Sequence, residues 1–346
     1  MHIEVVRELA ALQQLEADWR RVYAADPDAH FFLSWPWMSK RLERRPGWFM
    51  LVARATADAR PVGFFPFRDR TRRSSRKGSF VELSMPGRGA ADYTGFICEP
   101  ELQGQVARAF ADHLLELDWR ELRLECLRLS ERRAGDFLGC FTAAQFDVRR
   151  ESLMMDSGVD NAICPYADLP DDWDAYLAKL SSNTRQRLRR LLRAVDGSSV
   201  RITTTERETL QRDTEILLRL WSQRWGQRKG ERLQLILDST REELSDAMDN
   251  GTLYMVVLWR GDTPIGVNSC MLDLDKREVL FQLAARDAGA EDLSPGLLLH
   301  AYSIRAAIER GFVRYDFLRG NEPYKFSFAT AERRIESVVL RRVKAA

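Results

Sequence analysis

The sequence predicts a mixed α/β fold with mixed sheets, built as two tandem copies of one unit. Three observations carry this. A strand–turn–strand pattern with a Pro-aliphatic-Gly signature occurs once in each half. Each copy is followed by another strand region and then by a helix with a single apolar stripe. A short strand returns after each helix, completing β-β-β-α-β twice, whereas a solenoid needs at least three repeats.

In the first half, Phe49-Met50-Leu51-Val52-Ala53 and Pro61-Val62-Gly63-Phe64-Phe65-Pro66-Phe67 read as adjacent strands joined by a polar turn. A helix over about 102–117 carries Val106, Phe110, Leu114 and Leu117 on one stripe, and Glu121 to Cys126 is the returning strand. In the second half, Leu253 to Leu258 leads through Arg260-Gly261-Asp262 to Pro264-Ile265-Gly266-Val267, and Val279 to Leu283 is the third strand. The helix over about 295–309 has Leu297, Ala301, Ile304 and Ile308 on its stripe, and Val313 to Phe317 returns.

Helices lie between the halves. Asp171 or Asp172 caps one that carries Trp173, Tyr176, Leu177 and Leu180, and Ser181 or Ser182 caps the next, which Gly197 ends. Two more are expected over about 207–225 and 233–248, with Gly230 and Gly251 as breaks and Val200 to Thr203 as a strand before them. A chain of 346 residues exceeds the usual single-domain size. The predicted division is 1–168 and 169–346, the second with a helical bridge over 170–250 and a core over 251–346.

Composition narrows the function classes. Hydrophobic residues at 45% and charged residues at 30% are those of a globular protein with packed cores. With 53 Lys plus Arg against 51 Asp plus Glu the net charge is +2, which argues against a general nucleic-acid binder. The charged N-terminus lacks the apolar core of a signal peptide, and no apolar run spans a bilayer. Five scattered cysteines with no C-x-x-C pair predict reduced thiols and no metal site in a cytoplasmic protein.

Two blocks are more specific: Leu293-Ser294-Pro295-Gly296-Leu297-Leu298-Leu299 and Asp316-Phe317-Leu318-Arg319-Gly320-Asn321-Glu322-Pro323-Tyr324-Lys325. With Ser34-Trp35, Ala91-Asp92-Tyr93, Asn183-Thr184-Arg185, Leu188-Arg189-Arg190 and Trp221 to Trp225, they follow nearly the whole chain in order. On these blocks the sequence resembles the CelD/FemAB-like branch of the GNAT acyltransferases. The resemblance implies two tandem GNAT-like (acyl-CoA N-acyltransferase) domains, with the donor in the C-terminal half. It implies acyl-coenzyme A as co-substrate, or aminoacyl-tRNA as in peptidoglycan-modifying relatives. The usual coenzyme A loop, Gln/Arg-x-x-Gly-x-Gly/Ala, is reduced here to the single Gly296.

The residues support a donor site on their own terms. Ser294 suits an N-cap, Pro295 the first helical turn, and Gly296 a close backbone approach. Free N–H groups and about half a positive charge at that helix end favour a pyrophosphate, so Leu293, Ser294, Pro295, Gly296 and Leu297 are the expected donor contacts. Gln282 and Leu283 offer strand N–H groups to an oxyanion, aided by Lys325 or Arg319. An amine of pKa ~10 is only about 0.1% neutral at pH 7, so freeing it costs about 4 kcal/mol. Asp316 and Glu322 are the candidate bases and Tyr324 the candidate acid. Each has a plainer reading: Asp316 as an ion-pair partner of Arg319 or Arg314, Tyr324 as a packing anchor, Lys325 as solvated, and His300 as packed.

The motif match points to Asp92, Tyr93, Trp35, Trp37, Trp221, Arg224 and Trp225 as lining an acceptor cleft between the domains, and to Arg319 as a further substrate contact. Two basic clusters, Arg68, Arg70, Arg72, Arg73, Arg76 and Lys77 in an expected hairpin loop and Arg185, Arg187, Arg189, Arg190 and Arg193 on a helix, read either as solvated charge or as contacts to an anionic partner. The expected activity is acyl transfer, acetyl or longer, to an amine of a cell-envelope precursor such as an amino sugar or a sphingoid-type amino lipid. The acceptor is a small molecule or lipid-linked, at the inner face of the membrane. Nucleic acid enters only as tRNA under the aminoacyl alternative, and a third reading is a silent binding scaffold.

Overall fold

A computed structural model describes residues 1–74, 78–87, 89–195 and 200–343. The chain divides into two compact units, Met1–Ala162 with Arg334–Ala346, and Ile163–Arg333. The first unit runs β1 (His2–Val6), α1 (Leu9–Gln14), α2 (Glu16–Ala25), α3 (Trp35–Arg44), β2 (Trp48–Arg54), β3 (Pro61–Ser74), β4 (Gly78–Ser84), β5 (Ile97–Cys98), α4 (Gln103–Glu116), β6 (Glu121–Leu127), α5 (Glu131–Leu138) and β7 (Phe146–Glu151). The second runs β8 (Ile163–Asp168), α6 (Trp173–Lys179), α7 (Ser182–Val195), β9 (Val200–Thr204), α8 (Leu210–Lys229), α9 (Leu233–Asp249), β10 (Leu253–Arg260), β11 (Thr263–Asp273), β12 (Glu278–Arg286), α10 (Pro295–Glu309), β13 (Arg314–Asp316) and β14 (Ala331–Arg334). The last strand, β15 (Glu336–Arg342), belongs to the first unit.

Both sheets have one plan. The first is ordered β1-β2-β3-β4-β6-β15-β7, with β5 beside β3, and the second β14-β8-β13-β12-β11-β10-β9. The parallel junction falls at the same step in each, β4 with β6 and β12 with β13, where the helix crosses over. The duplicated β-β-β-α-β pattern is therefore present in three dimensions.

The strand beyond each parallel junction is far in sequence from the strand it pairs with. β15 pairs β6 and β7 in the first sheet, while β8 pairs β13 in the second. Residues 334–346, expected in the second domain, thus fall in the first unit, and the boundary lies at 162/163 rather than 168/169. The alternation in Glu336–Arg342 marks a strand, but nothing local to it selects a partner.

Burial explains the strand sequences. Along β2, Phe49, Leu51 and Ala53 join a core with Phe65, Phe110 and Phe137, while Trp48, Met50 and Val52 join one with Trp19, Trp35 and Leu42. A sheet covered on both faces reads as a continuous apolar run. In the second unit Val256, Leu258, Ile265 and Tyr315 pack on Leu188, Leu191, Leu298 and Ile304 of α7 and α10. Each fully buried side chain of this size contributes roughly 1.5–3 kcal/mol of transfer free energy.

The helices between the halves belong to the second unit. Asp172 caps α6 by accepting from the Ala175 N–H at 2.7 Å. Ser181 Oγ accepts from the Thr184 N–H at 3.3 Å at the start of α7, whose expected stop at Gly197 lies outside the described residues. α8 continues past Trp225 to Lys229 and stops at Gly230, with φ +52°. Of the first basic cluster, Arg68, Arg70, Arg72 and Arg73 sit on β3 paired with β4 instead of in a loop. Arg72 donates twice to Glu82 there, and Arg76 and Lys77 lie outside the described residues.

Candidate active site

In the second unit, β13 pairs β12 only at Glu278, Val279 and Leu280. Past Leu280, β12 has no strand partner on that side among the described residues. At the same point β12 bulges: Ser269 faces Leu283 and Cys270 faces Phe281, leaving Gln282 as the extra residue. A bulge breaks the ladder and turns the strand, so backbone at 281–284 is left for another partner. The Gln282 side chain is engaged elsewhere, accepting from Ser269 Oγ at 3.3 Å and donating to Glu243 Oε2 at 3.2 Å. Leu283 is half-buried beside it.

The first unit differs at the matching junction, where β4 itself ends at Ser84. Past the β4–β6 pairs, Thr94 bridges to the β6 end: its N–H donates to the Cys126 carbonyl at 2.9 Å, and the Arg128 N–H donates to its carbonyl at 2.9 Å.

The segment after β13 wraps the opening. Asp316 is fully buried; its Oδ1 accepts from the Leu318 N–H at 2.8 Å and its Oδ2 lies 3.4 Å from Arg333 Nη1. Arg333 is thus a partner of Asp316 that the sequence did not suggest. Arg314 instead pairs with Asp168 and Glu278. Leu318 takes φ +58°, an unfavourable conformation for a branched side chain that the Asp316 bond helps to hold.

Lys325 is 3% exposed, not solvated: its Nζ donates to the Arg319 carbonyl at 2.6 Å and lies 2.9 Å from Glu322 Oε2. Gly320, at φ +104°, is where Glu322 folds back, and a Cβ there would stand 2.4 Å from Glu322 Oε2. Only glycine combines that φ with that approach. The Arg319–Lys325 turn therefore presents Glu322, Tyr324 and Lys325 together.

Under this turn lies an aromatic floor. His300 from α10 stacks on Tyr324 with ring centroids 5.6 Å apart and meets Phe281 edge-on at 4.6 Å, with Phe317 and Phe328 at 5.4 and 5.5 Å. Its Nδ1 is 3.2 Å from Tyr315 Oη, which also receives the Asn268 amide at 3.3 Å and touches Cys270 Sγ at 3.4 Å. Burial, and then the Lys325 charge, lower the His300 pKa from 6.5 to about 3, so the ring is neutral. Burial first and the Glu322 charge second push the Tyr324 phenol well up, with Arg224 opposing, although the residue as a whole is 39% exposed. The phenol stays protonated and able to donate.

The α10 N-terminus adjoins. Ser294 occupies the cap position with φ +46° and no side-chain cap bond; its Oγ instead accepts from Arg187 Nη2 of α7 at 3.0 Å. The capping expected of its side chain is replaced by this tether. Pro295 is buried at the first turn, and a Cβ on Gly296 would meet nothing within 4 Å. Leu293 and Leu297 are half-buried against the core. Open space at Gly296, a helix start and an arginine suit a phosphate-bearing donor.

Trp221 and Trp225 lie near the C-terminal end of α8, and Arg224 acts on Tyr324. In the first unit, Tyr93 is fully buried against His30 and Phe32, and Trp35 packs edge-on to Trp19. Both are core residues there, contrary to their expected place on an open cleft wall. Asp92, next to Tyr93, is half-buried.

Arg333, Asn268, Tyr315 and Gly320 escaped the sequence reading. Only Gly320 carried a signal, as a glycine within the Asp316–Lys325 block. Among the described residues no group of three or more His, Cys, Asp or Glu side chains is placed to hold a metal ion, and no helix is long and apolar enough to cross a membrane.

Residues 178–326 match the model of the acetyltransferase (GNAT) domain. Among solved structures, FemX is similar at 11% identity, over 98% of this chain and 97% of that one, with a TM-score of 0.59. The C-terminal domain of a candidate lysylphosphatidylglycerol synthetase from Agrobacterium fabrum is 10% identical over 96% and 92%, with a TM-score of 0.54. A conserved protein of unknown function from Bacteroides thetaiotaomicron is 11% identical over 99% and 100%, with a TM-score of 0.53. No curated protein sequence matches the chain. Identities this low speak for the fold.

Proposed function

We propose that this chain, a tandem GNAT fold whose residues 178–326 belong to the acetyltransferase (GNAT) domain family, is an acyl-coenzyme A-dependent N-acyltransferase. Its acceptor is an amine of a cell-envelope precursor, such as an amino sugar or an amino lipid, met at the inner face of the membrane. The observation that carries the reading is the open side of β12 past Leu280, bulged at Gln282 and flanked by the Glu322–Tyr324–Lys325 turn.

Each group has one task. Backbone N–H groups near Gln282 and Leu283 donate to the oxyanion that forms as the amine attacks the thioester carbonyl. Glu322 takes the amine proton, directly or through water, since it is the half-exposed carboxylate of the turn. Asp316, committed to Leu318 and Arg333, positions the turn instead. Tyr324, held protonated, donates to the leaving thiolate. Lys325 holds Glu322 and the Arg319 carbonyl, and Arg187, Ser294 and Gly296 meet the donor phosphates.

Thermal stability with acetyl-, palmitoyl- and free coenzyme A tests this. A ligand at about 100 times its dissociation constant adds about 2.7 kcal/mol, a rise of several degrees. Absence of a rise with all three would remove the donor assignment. A second reading, transfer of an aminoacyl group, is favoured by the likeness to the lysylphosphatidylglycerol synthetase domain and by the single glycine of the donor loop. It expects tRNA binding that weakens steeply with salt.

A further inference from the structure

The corner where α8 turns into α9 has a composition that the transfer site does not need. Residues 216–230 contain four cationic side chains and no acidic one. Arg224 and Arg228 both lie over the Trp225 ring, at 5.1 and 5.3 Å, and Lys229 Nζ is 6.0 Å from the Trp221 ring. Arg224, Arg228, Lys229 and Arg232 are exposed and form no ion pair among the described residues. Other arginines of this unit have carboxylate partners: Arg241 with Glu215, Arg314 with Asp168, Arg260 with Asp292. At the start of α9, Leu235 is 70% exposed, the most exposed large apolar side chain among the described residues.

Unpaired cations over the half-buried Trp225 ring, with an exposed leucine three residues past Arg232, match the chemistry of a bilayer interface. Lys and Arg meet lipid phosphates there, indoles sit at headgroup depth, and an aliphatic side chain enters the acyl region. A nucleic acid would satisfy the cations but would leave Leu235 in water. α8 packs on β11 and β12, and β12 carries the open edge of the transfer site, so this corner belongs to the helix that backs that site.

We infer that the α8–α9 corner is a docking surface for an anionic phospholipid bilayer, which delivers a lipid-borne amine to the Glu322–Tyr324 turn. The inference rests on the acyl-transfer reading for what happens after docking, but its test does not use turnover.

The test is co-sedimentation of the full chain with phosphatidylcholine vesicles, with and without phosphatidylglycerol, at low and raised salt. Binding is expected only to vesicles with phosphatidylglycerol, and salt should release it. The triple variant R224A/R228A/K229A should lose at least tenfold in vesicle affinity, and Leu235→Asp should weaken binding with all four cations retained. Stabilisation by acyl-coenzyme A, measured on the same preparations, reports separately on folding and on the donor assignment. Wild-type protein that ignores anionic vesicles, variants that bind as wild type does, or a preference for tRNA over vesicles that the triple variant abolishes would each overturn the inference.

Discussion

Lys325 and Glu322 form a pair of unequal burial: Nζ and Oε2 are 2.9 Å apart, the lysine 3% exposed and the glutamate side chain 37%. The buried cation needs its partner more than the carboxylate does. Lys325→Met removes the charge and the bond to the Arg319 carbonyl, and should cost about 1–3 kcal/mol by chemical denaturation. Glu322→Gln should leave the fold and donor binding near wild type while lowering turnover by about 10²–10⁴. Unchanged turnover would remove Glu322 as the base.

Gly320→Ala puts a Cβ against Glu322 Oε2 at φ +104°. Strain of about 1–3 kcal/mol is expected, relieved by displacement of the carboxylate. Turnover should fall further than stability explains, and adding Glu322→Gln should change it little more.

Tyr324→Phe removes a phenol that its surroundings keep protonated. The rate should fall by about 10²-fold or more with coenzyme A thioesters, with donor affinity unchanged. A donor with a better leaving group should recover part of the loss; equal losses with both donors would exclude the acid role.

Acid sensitivity follows from His300. Its pKa is lowered from 6.5 to about 3, so the unfolded chain binds a proton that the native ring does not. The contribution is intact above pH 6.5 and drains away as pH falls toward 3, by about 1.4 kcal/mol per unit inside that window. Urea titrations at pH 7, 6, 5 and 4 should show a flatter decline for His300→Gln than for wild type.

Asp26 and Arg133 are both fully buried and bonded twice, at 2.7 and 2.8 Å. Asp26→Ala leaves the guanidinium with Asp28, 3.4 Å away, and the Phe96 carbonyl, and should cost about 3–5 kcal/mol. Arg133→Met with Asp26→Leu should recover much of that.

Local pattern carried much of the fold. The helix of 295–309 appears with those bounds, and the paired Pro-aliphatic-Gly strands appear as β2–β3 and β10–β11. Hydrophobic periodicity and turn chemistry are properties of neighbouring residues, so they are legible without coordinates. The Asp316–Lys325 block was legible in the same way, as a contiguous segment that folds into one turn.

What tertiary structure decided was pairing at a distance. β8 and β15 look like any half-buried strand, yet each fills its slot through ladders with segments remote in sequence. Asp316 meets Arg333, from β14 two strands away across β8, at 3.4 Å, a partner that nothing near it in the sequence announces. Lys325 is buried because a turn closes over it, and Tyr93 because a core does. Partner choice and burial depend on which surfaces meet once the chain has collapsed, and periodicity along the chain carries no record of that.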